Sequence, residues 1–238
     1  MPSHKVHAIV GKLVLGFSAK EIDDIVDRYK HDLARISCRE FFNQVSIIYK
    51  KYGEKGISYF ALHHYLDKLV SIMGGRIIKL LLNYRAQSSL EERLTRLIDE
   101  AREGFFDEVS VFSVIFHDEL LYIPEYEYGI RAYVYRDALI RRGYSKNTAR
   151  RKVNQLFRIA SEYREVIEEI KSTYSSNYEF SAFMDIVKSG IAKAHGGVLR
   201  NLNKIMCIIL TEDAQIWRRN FGQDLYNKIL NAINCNKI

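Results

Sequence analysis

The chain has 238 residues, 47% of them hydrophobic and 27% charged, and only two prolines, Pro2 and Pro124. This composition excludes wholesale disorder, and the length is enough to bury a core without staples. The net charge of +7 points to an anionic partner only if the excess is concentrated, so its distribution matters more than its sum.

Few helix breakers over so long a chain predict a mainly α, multi-helix protein. In chain order, helices are expected near 19–34, 38–52, 58–73, 76–86 and 90–103. Ser18 with Glu21, and Ser37 with Glu40, have the capping-box spacing that opens a helix. Gly53, Gly74–Gly75 and Gly104 supply C-terminal stops. The stretch 108–123 is rich in β-branched and aromatic residues and reads as one small β-hairpin. Beyond 178, helices are expected near 180–194, 198–210, 212–220 and 222–233, with a turn at Gly196–Gly197. The organisation expected is a helical N-terminal region over 1–105, a DNA-binding region with a long heptad helix over 106–172, and a helical C-terminal region over 173–238.

Cys38, Cys207 and Cys235 are odd in number and far apart, with no CxxC pair, so neither a disulfide framework nor a cysteine zinc site is expected. No run of about 18 apolar residues occurs, which predicts no membrane partner. The short apolar patch at the N-terminus runs into an acidic helix signal and lacks a small-residue cleavage site. The expectation is a cytoplasmic protein.

The positive charge is local. Residues 1–130 carry 17 basic and 19 acidic side chains, and 159–238 carry 10 and 9. Residues 131–158 carry nine basic side chains against one acid, Asp137, so this segment accounts for the whole excess. Like charges packed this densely repel unless they meet anions.

Within the block, the stretch from Asp137 to Leu156 resembles a helix-turn-helix. Gly143 stands at the tight turn, Tyr144 follows as its anchor, and Ser145 caps the second helix. Ala149, Val153, Leu156 and Phe157 form the inward face. That leaves Lys146, Asn147, Thr148, Arg150, Arg151 and Asn154 facing outward, with Arg141, Arg142 and Arg158 flanking them. These are side-chain types that contact phosphates and base edges. The phrase from Leu139 to Thr148, followed by a long helix, also resembles the core-binding domain of tyrosine recombinases. That resemblance implies DNA binding. It does not extend to a catalytic domain, because His195 and Arg200 do not reproduce the recombinase His-x-x-Arg spacing.

Ala149, Val153, Leu156, Ala160, Tyr163, Ile167 and Ile170 recur at 4-3 spacing, a heptad seam. It either packs inside the chain or forms a homodimer that sets the distance between two DNA half-sites.

No phosphate-loop, dinucleotide, serine-hydrolase or zinc-protease motif is present. Adjacent His63 and His64 point about 100° apart on a helix, so one packed and one exposed residue are expected, with no metal between them. His4 and His7 have a ligand-like spacing in a terminal segment, and no metal or cofactor is expected there either. His117, Asp118, Glu119, Glu125 and Glu127 leave a Mg²⁺-dependent nuclease as an enzymatic alternative. The reading that follows is a non-catalytic, duplex-DNA-binding protein: a regulator, a replication or partition factor, or a virus- or plasmid-encoded accessory protein. Its competitor is a helical scaffold that binds RNA or an acidic protein.

Overall fold

Helices supply every regular element among the described residues, and the scarcity of proline leaves them uninterrupted by that residue. The computed structural model describes residues 2–28, 36–82, 128–141, 143–233 and 235. The helix expected at 90–103, the hairpin at 108–123, the acidic stretch 117–127 and Arg142 lie outside them. The elements are α1 (His4–Leu15), α2 (Lys20–Asp27), α3 (Cys38–Leu82), α4 (Tyr128–Arg141) and α5 (Lys146–Lys171). They continue with α6 (Asn177–Arg200), α7 (Leu202–Glu212), α8 (Ala214–Phe221) and α9 (Gln223–Ala232). The described residues cluster into two compact units: one drawn from 2–28, 48–82 and 189 onward, the other from 36–47 and 128–188. These units interleave along the chain.

Several local signals act as expected. The Ser37 hydroxyl accepts from the Glu40 N–H at 3.2 Å at the start of α3. Others do not. The cap of α2 is Ala19, with no side-chain hydrogen bond, so the Ser18 box is unused. The apolar N-terminal patch is itself a helix, α1, which buries Val6, His7 and Val10.

The helices expected at 38–52 and 58–73, and the described part of the one expected at 76–86, form one long element, α3. Gly53, at φ 61° and ψ −151°, interrupts α3 with a kink but does not end it, and Gly74 does not stop it. Ile57, Tyr59, Phe60, Ala61, Leu62 and Leu66 are all buried just beyond the kink. Fully burying each large apolar side chain is worth about 1.5–3 kcal/mol, against roughly 1 kcal/mol for a glycine inside a helix. Packing therefore carries the helix through its glycines.

The turn expected at Gly196–Gly197 is helical as well. A Cβ at Gly197 would lie 2.2 Å from the Val14 Cγ1, so the glycine allows α1 to approach α6 closely. Cys207 and Cys235, expected to stay unpaired, form a disulfide with Cα atoms 5.3 Å apart. Sequence spacing alone could not bring α7 and the segment after α9 together. Cys38 stays a free, buried thiol, and burial pushes its pKa up to about 12.

Candidate nucleic-acid interface and a buried histidine–aspartate cluster

The turn between α4 and α5 is built by local chemistry. Gly143 has φ 90°, a conformation that side-chain-bearing residues rarely adopt. Its N–H donates to the Ile140 carbonyl at 2.9 Å, and that of Tyr144 donates to the Leu139 carbonyl at 3.1 Å, closing α4. Ser145 then opens α5: its hydroxyl oxygen accepts from the Thr148 N–H at 3.2 Å. A cap of this kind is worth about 1 kcal/mol. Thr148 is tied into the cap, since the Ser145 hydroxyl also donates to its Oγ1 at 3.0 Å. Tyr144 is half-buried, with the Lys152 ammonium 5.1 Å above its ring.

On α5, Ala149, Val153, Leu156, Ile159, Ala160 and Tyr163 are buried. Phe157, expected inward, is only half-buried at the edge of this stripe. With 3.6 residues per turn, Asn147, Arg150, Arg151, Asn154 and Arg158 fall within an arc of roughly 100° on the opposite side. All five are exposed, as is Lys146. Arg150 and Lys146 also line a cleft of about 470 Å³ with Tyr133, Arg136, Asp137, Ile140 and Asn147.

Two of the expected contact residues have carboxylate neighbours within the same helix turn. Arg141 pairs with Asp137 at 2.8 Å, and Arg158 with Glu162 at 2.7 Å. Both pairs are solvent-exposed and so weak that a phosphate can displace the carboxylate. Among the described residues, Arg150 and Arg151 are in no ion pair. The Arg136 guanidinium lies 5.3 Å from the ring centroid of exposed Tyr133.

The heptad seam turns inward within its own unit over its first five positions. Phe42 packs against Tyr163 with ring centroids 5.4 Å apart, and the Cys38 thiol donates to the Ile159 carbonyl at 3.7 Å. Arg39 and Glu169 make a bidentate ion pair beside them. Ile167 and Ile170 are half-buried, and Ile167 lines a groove of about 530 Å³ with Met184, Phe180 and Lys188.

A second constellation was not anticipated. His63 and His64 are both buried, because α3 is enclosed on all sides from Gly56 to Leu66 and a 100° offset exposes neither ring. His63 joins His4 and His7 from α1, Asp23 and Asp27 from α2, and Asp67 one turn further along α3. The His63 Nδ1 and the Asp23 Oδ1 are hydrogen-bonded at 2.8 Å, and the Tyr59 hydroxyl donates to the other Asp23 oxygen at 3.0 Å. The His7 and His63 rings stack with centroids 4.0 Å apart. His63 Nε2 lies 3.3 Å from Asp67 Oδ2 and 3.5 Å from Asp27 Oδ1, and His7 Nε2 lies 3.6 Å from Asp67 Oδ1. None of these three pairs has hydrogen-bond alignment.

The charges of the cluster are strongly perturbed. Burial disfavours the His63 cation, but Asp23, Asp27 and Asp67 outweigh it and raise its pKa well above the ordinary value. For His7 burial is the larger effect and the pKa falls. At Asp27 the His63 ring outweighs burial, His4 adds to it, and the carboxyl is pulled down to about 2. Burial opposes ionisation of Asp67, yet His63 and His7 hold it well below the usual carboxylate range.

The sequence did contain a signal for this cluster. Asp23 with Asp27, and His63 with Asp67, are i,i+4 pairs, which share a helix face. What it lacked was the pairing of α1 and α2 with α3.

Compared with family models, with curated proteins and with solved structures, the chain matches none. Its function must therefore be argued from its own residues.

Proposed function

We propose that this protein binds duplex DNA without catalysing a reaction on it, using α4, the Gly143 turn and α5 as a helix-turn-helix reader. The observation that carries this reading is the exposed arc of Asn147, Arg150, Arg151, Asn154 and Arg158 opposite the buried stripe of α5. Guanidinium forks and amide side chains on one helix face suit phosphates and major-groove base edges. The Arg136–Lys146–Arg150 cleft extends the positive face to α4. Thr148, tied to Ser145, supports the cap and does not read bases.

In this reading Arg141 and Arg142, before the turn, hold phosphates, while Arg150, Arg151 and Asn154 enter the groove. A homodimer on DNA would pair through surfaces other than the Ala149–Tyr163 stripe, which is spent within the chain. No helix among the described residues is long and apolar enough to cross a membrane. We place the protein in the cytoplasm with its DNA.

Alanine variants on selected and random duplexes test the assignment. Arg150→Ala or Arg151→Ala should cost about 1–3 kcal/mol on a preferred site and much less on random DNA. Arg141→Ala should weaken both alike. Uniform losses in all variants would make the face a nonspecific phosphate clamp. Equal or tighter binding of structured RNA would replace duplex DNA as the partner.

A further inference from the structure

We infer that His7, His63, Asp27 and Asp67 form a binding site for a first-row divalent metal ion, held by α1, α2 and α3. This inference is independent of the DNA-binding reading. One donor atom from each of His7, His63 and Asp67 lies within 4.8 Å of the other two. Their separations fit a shared ion. Bonds of about 2.0–2.2 Å to nitrogen and oxygen place tetrahedral ligands roughly 3.3–3.6 Å apart. Three of the neighbouring pairs have this spacing: His63 Nε2 to Asp67 Oδ2 at 3.3 Å, His63 Nε2 to Asp27 Oδ1 at 3.5 Å, and His7 Nε2 to the other Asp67 oxygen at 3.6 Å.

The donors face one another as ion pairs but make no well-aligned hydrogen bond. His7 Nε2, His63 Nε2, Asp27 Oδ1 and both Asp67 oxygens are buried without a hydrogen-bond partner among the described residues. Five such atoms in one place would each carry a desolvation cost, which a shared cation removes together.

The supporting groups strengthen the case. Asp23 holds the His63 Nδ1 at 2.8 Å and is itself fixed by the Tyr59 hydroxyl. A carboxylate on one ring nitrogen leaves the other to face a metal, an arrangement typical of metal-binding histidines. His4 Nε2 occupies the Asp27 Oδ2 at 2.6 Å, turning Oδ1 inward. Two imidazoles with two carboxylates favour zinc or a neighbouring first-row ion over magnesium, which prefers oxygen ligands and retained water. His7 and His63 are fully buried, while Asp67 and Asp27 are partly exposed, at 15% and 26%, so the ion approaches from the carboxylate side. A closed site of this kind fastens three helices and has a structural role.

The experiment strips the full chain with a chelator, then measures uptake of Zn²⁺, Mn²⁺ and Mg²⁺ by equilibrium dialysis and the thermal midpoint at each free-metal level. One equivalent of Zn²⁺ or Mn²⁺ should bind, and the midpoint should rise with the logarithm of free metal. Asp67→Asn and Asp27→Asn, at the exposed edge, should keep the helical circular dichroism and lose about ten-fold or more in affinity. Co²⁺ on the unaltered chain provides a readout that needs no variant: a bound ion with nitrogen and oxygen ligands should give visible d–d bands that Zn²⁺ abolishes. Absence of stoichiometric uptake, or uptake that both variants leave intact, would overturn the site.

Discussion

Gly143 is the residue on which the geometry of the proposed reader turns. At φ 90° it joins α4 to α5, and its N–H closes α4 on the Ile140 carbonyl. A β-branched side chain there is strained by the positive φ itself, even though nothing beyond its chain neighbours among the described residues crowds the place where a Cβ would stand. Gly143→Val should therefore cost about 1–3 kcal/mol of unfolding free energy and weaken DNA binding in proportion to the turn's displacement. Chemical denaturation and a duplex titration on the same preparation check both. An unchanged midpoint would mean that the turn relaxes freely and does not set the angle between the helices. This residue was legible in the sequence because its signal is local: a glycine, then a serine cap, then an apolar stripe at helical spacing. His63 was not, since its burial depends on what α1 and α2 bring to α3.

The elements divide in the same way. Within α5 the inward stripe reads directly from Ala149, Val153 and Leu156, and the Ser145 start is correct to the residue. The extent of α3 does not read from its sequence, because burial around Ile57 and Phe60 overrides the signals of Gly53 and Gly74. Within the continuous helix, Ser58 donates its hydroxyl to the Glu54 carbonyl one turn back. The heptad pattern was legible as a pattern but not as a choice between partners. Packing of Tyr163 against Phe42 assigns the stripe to the chain's own interior. Leu156→Ala should then lower the unfolding free energy by about 2–5 kcal/mol without changing the oligomeric state. Denaturation with light scattering tests this. A wild-type dimer that dissociates into a stable folded monomer on this substitution would reassign the stripe to an intermolecular contact.

At the scale of the whole molecule, the acid limit of stability should be set by the carboxylates of the buried cluster. Asp27 is pulled down to about 2, and Asp67 is held down as well. Between the unfolded value, about 3.9, and these folded values the unfolded chain binds more protons, so stability falls as pH falls. Thermal midpoints of the chelator-treated protein should drop as pH passes from about 4 toward 2, and Asp67→Asn should flatten that drop. In the proposed reading, the chain's positive excess acts separately, through a face carried by α4 and α5. The most direct test of the central claim is a titration of labelled duplex DNA at several salt concentrations, with the unaltered chain and with Arg150, Arg151 and Arg158 all changed to alanine. If four to six basic residues of 131–158 meet phosphates, log K against log salt should fall with a slope of roughly −4 to −5, at about −0.9 per phosphate. The triple variant should bind more weakly, with a slope shallower by about one unit for each phosphate contact removed. No salt-sensitive binding, or a triple variant that binds as the unaltered chain does, would contradict the assignment of this face as the DNA reader.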